Sequence, residues 1–462
     1  MQSCFLLLAG YFFYGWWDWR FLFLLILVSI INYLIGIRID INEENRKRKI
    51  WLITGLVINI SILGVFKYYN FFVDSFIDLI SMAGYDLQGS TVNIVLPLGI
   101  SFYTFLSLSY LLDIYKKNLT ANRNVIEVLL SLSFFPIILA GPIQRPSSLL
   151  PQIATKREFN YPRAVDGLRQ ILWGLFVKIV IADNLAPHVE DIFLNYSDYS
   201  GSTLLSGAFF YAIQIYADFS GYSNIAIGTA SLFGFSLMRN FDYPYFSRDI
   251  TEFWKKWHIS LTSWFRDYLF LPISFAISWK IKKERVIFIR TDLFIYIVAS
   301  TITWFLTGLW HGANYTFIVW GMIHGFFLII YQWQRKPRKK LFKILRISNN
   351  NIIVVAIETF ITLLIVILAW VVFRSSTIQQ SAEYLRGIFS SSLLSFPQVF
   401  PKTAILTTII FILTEFVQRN KKHALQIEKI KYRLLRWGIY FGIVLMILLF
   451  GGGNQKFIYF QF

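Results

Sequence analysis

Two histidines have the surroundings that point most directly to chemistry, and His311 is the more informative. It lies in the sequence WHGAN, at the joint between two strongly apolar stretches. Burying an imidazole in hydrocarbon costs several kcal/mol unless partners satisfy it, so such residues usually mark a proton path, a ligand site or a reacting centre. The ordinary pKa of histidine is about 6.5, which leaves a neutral nitrogen to act as a general base. This chemistry would suit acyl transfer to a hydroxyl.

The second histidine, His258, lies where aromatic and basic residues interleave, in FWKKWHISLTSWFRDY from residue 253. If this segment is one helix, His258 shares a face with apolar residues and points with them into the protein. The residues of that face are Trp254, Trp257, His258 and Leu261. We therefore predict that the segment lies in or dips into the membrane interface. The alternative is an amphipathic surface helix with snorkelling basic residues and a structural histidine.

The remaining histidines are predicted to have other roles. His324 follows His311 by 13 residues on an apolar stretch. A lone histidine there is more often a hydrogen-bonded packing residue than a catalyst, so we predict a structural role. His188 lies in an acidic connector and His423 in a basic one, and both are predicted to be solvated.

A third candidate feature is a run of small and polar residues, from Tyr216 to Asn224, inside a long apolar segment. On a helix Asp218 and Tyr222 share one face, and Ser220 and Asn224 share another. Close helix packing through Gly221 and the serines is the structural interpretation. The functional interpretation is a cavity with a polar lining, which we favour because a buried aspartate needs a partner. Lys178 and Glu358 also fall in apolar spans, and neither is assigned a role.

Composition places these residues in a membrane protein. Of 462 residues, 56% are hydrophobic and 15% charged, and mean hydropathy is +0.54. These values lie outside the range of ordinary soluble proteins and exclude that class. The apolar runs are too long and continuous for barrel strands, so the predicted fold is all-α, a polytopic helical bundle with about 10–12 spans plus re-entrant or interfacial helices. No long polar interruption separates the runs, so residues 1–462 are predicted to form a single integral membrane domain. The predicted spans are 20–37, 50–69, 92–112, 124–140, 164–184, 203–237, 291–310, 315–333, 351–373, 401–418 and 433–451.

The net charge of +18 is distributed as expected for a membrane protein, not a nucleic-acid-binding protein. Basic residues collect in short connectors, which the positive-inside rule places in the cytoplasm. The connectors 71–91, with Asp74, Asp78 and Asp86, and 185–203 are acidic and are predicted to face outward. This alternation requires 124–140 to be re-entrant and 239–290 to be cytoplasmic. The basic inner surface would suit an anionic donor such as a phosphate-bearing cofactor or carrier.

Several kinds of site have no signal in the sequence. The only cysteine, Cys4, excludes an internal disulfide and a cysteine-rich metal site. There is no HExxH motif, no glycine-rich phosphate loop before a helix and no GxSxG motif. We therefore predict no metal. The N-terminal apolar run lacks a basic leader and a cleavage pattern, so it is predicted to be retained.

The chain resembles the membrane-bound O-acyltransferase (MBOAT) superfamily, most closely the bacterial branch typified by the membrane subunit of alginate O-acetyltransferase. The motifs that carry the resemblance agree in order and cover nearly the whole chain. They are YFFYGWWDWRFL from 11, KYYNFF from 67, LPLGISFYTFLSLSYLLDIY from 96, FFPIILAGPIQRP from 134, IYADFSGYSNIAIG from 215, FWKKWHISLTSWFRDYLFLP from 253, GLWHGANYTFIVWGMIHG from 308 and FIYFQF from 457.

The resemblance implies a fold around a tunnel that crosses the membrane, with His311 as the essential catalytic histidine and His258 as the second motif histidine. It implies transfer of a short acyl group, expected to be acetyl, from acetyl-CoA or an acyl-carrier protein in the cytoplasm to a hydroxyl at the outer face. The expected partners are membrane lipid and an extracytoplasmic acetyltransferase that acts on polysaccharide, and the expected location is the inner membrane. The residues expected to bind substrate are Trp310, Asn314, Asp218, Ser220, Tyr222, Asn224, Trp257 and Arg266.

Three departures from the family pattern bear on these expectations. The chain begins at what is usually the second apolar stretch, so a leading helix is expected to be absent. Asn224 stands where relatives commonly have aspartate, and ISFA at 273–276 replaces a glycine-rich segment, so an altered donor or partner is one interpretation. The alternative functions are D-alanyl transfer from a carrier protein to teichoic acid, a transporter of lipid-linked glycans, and a scaffold that recruits an envelope enzyme.

Overall fold

The computed structural model describes residues 1–85, 94–286, 288–451, 453, 455, 457 and 458. Asp86, the start of the predicted span 92–112 and most of the motif from 457 lie outside the described residues. The regular secondary structure of the described residues is helical apart from one two-stranded antiparallel ribbon. This confirms the all-α prediction. The chain divides into two compact units, and the prediction of a single domain stays a prediction.

The first unit contains residues 1–167 and 229–238. Its core is formed around one helix, residues 100–115, in which nearly every side chain is buried. The buried pair Asn32 and Asn59 is joined by reciprocal amide hydrogen bonds of 3.1 and 2.9 Å. The helices of this unit are α1 (Gln2–Trp17), α2 (Trp19–Ile41), α3 (Asn45–Leu63), α4 (Tyr69–Met82), α5 (Ile100–Tyr115), α6 (Val125–Ser133), α7 (Phe135–Ile138) and α8 (Pro146–Ala154).

The predicted re-entrant segment 124–140 is broken into two short helices. α6 has nine residues and α7 has four, and Phe134 separates them in an extended conformation. At 1.5 Å per residue neither helix reaches the ~30 Å that a hydrocarbon core requires. The break precedes Pro136, which occupies the first turn of α7.

The second unit contains residues 168–228 and 239–462. α9 (Tyr161–Phe176) and α11 (Gly201–Leu232) each have residues in both units. The remaining helices are α10 (Asp183–Leu194), α12 (Ile250–Lys256), α13 (Ile259–Phe265), α14 (Leu271–Lys280), α15 (Thr291–His311), α16 (Tyr315–Ile344), α17 (Ile352–Arg374), α18 (Ile378–Ile388), α19 (Lys402–Gln418) and α20 (Arg433–Phe450). The ribbon pairs β1 (Arg285–Val286) with β2 (Ile289–Arg290).

α15 and α16 form a tight helical hairpin. A Cβ added at Gly308 or at Gly321 would overlap the backbone of the facing helix, so the absence of a side chain allows the two backbones to touch. The hairpin turn is short because Asn314 caps α16, where its side chain accepts a hydrogen bond of 2.9 Å from the Thr316 amide. This turn fixes His311 as the last residue of α15.

Within the described ranges, six helical segments are long and apolar enough to cross a membrane. They are Trp19–Ile41, Asn45–Met82, Thr291–His311, Tyr315–Ile344, Ile352–Arg374 and Arg433–Phe450. Each overlaps one of the predicted spans. The predicted spans at 92–112 and 124–140 correspond instead to shorter apolar helices. Together the helices describe a multi-pass membrane protein.

Candidate active site

His311 is buried among aromatic rings. Its imidazole is 5% exposed and makes edge contacts with Trp320 and Phe373, at centroid distances of 4.9 and 5.2 Å. The ring of the preceding residue, Trp310, lies 5.0 Å away. Gly312 follows in an extended conformation, and a Cβ there would overlap the Phe317 ring. Packing from three helices therefore holds the orientation of the His311 ring.

His258 lies at a break between two short helices and not within one continuous helix. α12 ends at Lys256, α13 begins at Ile259, and His258 adopts a left-handed conformation with φ 43°. Two backbone hydrogen bonds hold this break, from Ile259 to Asn240 at 2.8 Å and from Asp242 to Lys256 at 2.9 Å. The single helix that the sequence analysis considered does not form, because backbone hydrogen bonds to the 240–242 segment replace helical ones.

The inward placement predicted for His258 is confirmed despite the break. The residue has no exposed surface, and its ring meets the Phe219 ring edge-on at 4.6 Å. The other residues assigned to that helix face are buried as well: Trp254, Trp257 and Leu261. Burial lowers the pKa of the His258 imidazole to about 3, because a charged ring loses its hydration in an apolar site. His258 is therefore neutral at ordinary working pH.

Trp310 joins the two histidines. Its ring lies 5.0 Å from the His311 ring and 6.2 Å from the His258 ring. The structure thus brings both predicted catalytic residues and one predicted substrate-binding residue into one cluster. In such a buried site one imidazole can act as a general base while a second, neutral imidazole donates a hydrogen bond to a bound substrate.

His324 lies behind His311, with the Trp320 ring between them at 4.9 Å from each. The Trp254 indole nitrogen donates a hydrogen bond of 3.3 Å to Nδ1 of His324. Since Nδ1 accepts, a neutral His324 carries its proton on Nε2. The predicted hydrogen bond and burial of His324 are confirmed, and its structural role stays a prediction.

Asp218 has the partner that its burial requires. Its carboxylate lies 2.6 Å from the Lys178 ammonium and accepts a hydrogen bond of 2.7 Å from the Ile458 amide. Lys178 also pairs with Asp183 at 2.6 Å. Lys178 is the residue that sequence analysis left unassigned, although a lysine inside an apolar span is itself a signal of a buried pair. A π-helical segment, Val177–Ala182, carries Lys178, and π-bulges are frequent at functional sites.

Both interpretations of the 216–224 run hold. α11 packs closely on α9, since a Cβ at Gly174 would lie 2.6 Å from the carbonyl oxygen of Gly221. On another face of α11, Ser220 and Asn224 line a polar pocket. Asn224 accepts a hydrogen bond of 3.0 Å from Gln170. The lining of this polar pocket is Gln170, Trp173, Tyr216, Ser220, Ser223, Asn224, Ile227, Arg239, Asn240, Phe241, Tyr243, Glu415, Lys422, His423 and Ala424.

Several lining residues of the polar pocket were missed in the sequence. Glu415 is 6% exposed and accepts a hydrogen bond of 2.7 Å from the Tyr216 hydroxyl. A glutamate in the apolar run 401–418 was the available signal. His423 is 3% exposed and lines the same pocket. The prediction that His423 is solvated was wrong because the connector after α19 folds back onto the pocket instead of extending into water.

The other predicted substrate-binding residues have varied surroundings. Trp257 is 1% exposed and packs against Trp370 at 5.0 Å. Asn314 caps α16 and donates a hydrogen bond of 2.8 Å to the Ser376 carbonyl. Tyr222 is half-buried. Arg266 is exposed, pairs with Asp267 at 2.8 Å and borders a separate, mainly apolar cleft. Their roles in binding stay predictions.

Comparisons with known proteins found a matching family model and several similar proteins. The model of the membrane-bound O-acyltransferase family, MBOAT, matches residues 122–370. The probable alginate O-acetylase AlgI of Pseudomonas aeruginosa is 37% identical over 390 residues, which are 84% of this chain and 70% of that protein. The peptidoglycan O-acetyltransferase of Helicobacter pylori is 32% identical over 83% of this chain and 73% of its own length. The teichoic acid D-alanyltransferase of Bacillus subtilis is 27% identical over 54% of this chain and 62% of its own length.

Proposed function

The chain belongs to the membrane-bound O-acyltransferase family, and we propose that this O-acyltransferase moves acetyl from a cytoplasmic thioester to a hydroxyl on the outer side of the membrane. One observation carries the assignment of the reacting centre. His311 and His258 are both buried, and a single indole ring, Trp310, lies against both.

In the proposed reaction His311 is the general base. The acceptor oxygen attacks the thioester carbonyl carbon while a ring nitrogen of His311 takes the hydroxyl proton. The tetrahedral intermediate then collapses with cleavage of the carbon–sulfur bond, and the leaving thiolate takes the proton back from the imidazolium. A positioned base of this kind contributes about 10² to 10⁴ fold to the rate, and the step needs no metal.

His258 has a supporting role in this proposal. Because burial keeps its imidazole neutral, it can donate a hydrogen bond to the developing oxyanion or orient the substrate without adding a charge. Its backbone is fixed by Asn240 and its ring by Phe219. A preorganised donor of this kind stabilises charge that appears only in the transition state.

The polar pocket is the proposed entry of the donor; it encloses about 30 Å³ here, so its lining must open to admit the donor arm. Its serine, asparagine and glutamine side chains suit the amide-bearing arm of acetyl-CoA or of an acyl-carrier protein, and Arg239 and Lys422 suit its phosphates. Lys422 lies in the connector after α19, which the positive-inside rule places in the cytoplasm. This polarity supports the direction of transfer and a location in the inner membrane.

The acceptor and partner are proposed from the relatives. The names of the alginate and peptidoglycan enzymes support an envelope polysaccharide as the final acceptor, reached directly or through an extracytoplasmic acetyltransferase. The tunnel that would join the two aqueous sides stays a prediction.

The test replaces His311 by alanine, with His188→Ala as the matched control. His188 lies on α10, is half-buried and is distant in sequence from both motifs. The O-acetyl content of the envelope polysaccharide and the consumption of acetyl thioester by purified protein should both fall by about 10² to 10⁴ fold in His311→Ala and remain normal in His188→Ala. Retained acetyl transfer in His311→Ala would refute the proposal. Consumption of a D-alanyl thioester instead of acetyl-CoA would favour the D-alanyl alternative, and loss of polymer export with acetylation intact would favour a transporter.

A further inference from the structure

The chain after α20 returns to the site and contacts it at described residues. Phe457 and Ile458 are 7% and 5% exposed. We call Gln455, Phe457 and Ile458 the return segment. Two hydrogen bonds hold the chain on this path. The Asn184 side chain donates to the Phe450 carbonyl at the end of α20 at 3.1 Å, and the Lys178 ammonium donates to the Gln455 carbonyl in the return segment at 3.5 Å.

Asp218 provides the central attachment. One carboxylate oxygen forms the ion pair with Lys178, and the other accepts the Ile458 amide hydrogen bond. Asp218 is 2% exposed, so both interactions are shielded from water and a backbone amide satisfies part of a buried charge. Both carboxylate oxygens of Asp218 therefore bind protein groups, and one of them fixes the backbone of the return segment.

The return segment is connected to the catalytic centre through rings. Phe457 packs against Tyr222 at 4.9 Å and against Phe219 at 6.1 Å. Phe219 in turn meets the His258 ring edge-on at 4.6 Å. Asp218 therefore contacts the return segment, the return segment contacts Phe219, and Phe219 contacts His258.

We propose that Asp218 is a positioning residue: it anchors the return segment, so that Phe457 supports Phe219 and Phe219 holds the His258 ring. Asp218 acts on the reaction through this segment and does not touch the substrate, which differs from the substrate-binding role expected from the sequence. The effect on catalysis rests on the proposed acyl transfer, whereas the anchoring itself does not.

The first experiment measures anchoring without activity. In a Cys4→Ser background, Phe457→Cys supplies one buried thiol, and its rate of maleimide labelling reports how often the return segment leaves its site. Adding Asp218→Asn should raise this rate roughly tenfold or more, while adding Asp191→Asn should leave it unchanged. Asp191 is the matched control because it is a carboxylate on α10 that accepts a hydrogen bond of 2.6 Å from the Tyr199 hydroxyl. An unchanged labelling rate in Asp218→Asn would overturn the proposal.

The second experiment is a double-mutant cycle on acetyl transfer. Asp218→Asn and Phe457→Ala should each lower kcat roughly tenfold with little change in KM, and the double variant should be no slower than the slower single variant. Multiplied losses, or a loss confined to KM in Asp218→Asn, would instead assign Asp218 to the substrate and overturn the proposal. If Asp218→Asn fails to fold, Phe457→Ala still tests the proposal, because it leaves the ion pair of Asp218 with Lys178 intact. An unchanged kcat in Phe457→Ala would overturn the proposal. Faster labelling with no acetyl transfer in any variant would leave anchoring standing and count against the proposed reaction.

Discussion

The close packing of α9 on α11 makes a sharp prediction for Gly174→Ala. The new Cβ would lie 2.6 Å from the Gly221 carbonyl oxygen, whereas an ordinary contact needs about 3.4 Å, so the two helices must separate by roughly 0.5–1 Å. The obstacle is backbone and not the end of a flexible side chain. The strain should therefore move α11, which carries Phe219 and Asp218 towards the site.

The expected magnitude combines two opposite effects. Alanine is favoured over glycine in a helix by about 1 kcal/mol, and overpacking a tight interior costs about 1–3 kcal/mol. Gly438→Ala in α20 is the matched control, because nothing lies within 4 Å of a Cβ there. We expect the control to be neutral or stabilised by up to about 1 kcal/mol, and Gly174→Ala to be less stable than the control by about 1–3 kcal/mol.

The assay compares thermal unfolding of the two variants in detergent and their acetyl-transfer rates at saturating donor. A displacement approaching 1 Å of a supporting helix should lower the rate of Gly174→Ala by roughly 10- to 100-fold, with the rate of Gly438→Ala unchanged. Equal unfolding temperatures and equal rates in the two variants would show that α9 and α11 can separate freely. The claim that their contact positions the catalytic rings would then be wrong.

Two further predictions concern pH and donor binding. Burial lowers the pKa of His258 from 6.5 to about 3. Between these pH values the imidazole is protonated in the unfolded chain but neutral in the folded chain, so the free energy of unfolding decreases as pH drops from 6.5 towards 3. At pH 5 the decrease is about 2 kcal/mol. The unfolding temperature should decline less between pH 7.5 and 5 in His258→Gln than in the wild type or His188→Gln, and parallel declines would contradict this. Lys422→Ala should raise KM for acetyl-CoA several-fold with kcat unchanged. The control is Lys429→Ala, which changes the same connector outside the lining of the polar pocket and should leave KM unchanged. Equal KM values in the two variants would exclude Lys422 from donor binding.

The sequence was sufficient to predict the membrane-spanning helices and the two buried motif histidines. Long apolar runs require helices in lipid because every backbone polar group must be satisfied internally, so the spans around α2, α15, α16 and α17 could be read directly. His311 was identifiable because an ionisable residue between two such runs is costly. The inward placement of His258 was also predictable, since the apolar residues around it must be buried together.

What the sequence could not provide was the set of non-local partners. Nothing near Asp218 in the chain points to Lys178 or to the Ile458 amide, which is 240 residues away. The break at His258 depends on pairing with Asn240 and Asp242, an interaction that helix periodicity does not report. His423 was misjudged for the same reason, because a basic connector looks solvated until the fold places it over a pocket.

The distribution of charge in the second unit gives a physical reason for separating chemistry from binding. Aromatic rings make up the close surroundings of His311, while Lys178, Asp218 and Glu415 form ion pairs or hydrogen bonds away from that ring. In a buried, low-dielectric cluster of this kind, electrostatic interactions are stronger than in water, so a few fixed dipoles govern a proton transfer. This separation fits the proposed acyl transfer, in which His311 is the base and the polar pocket receives the donor.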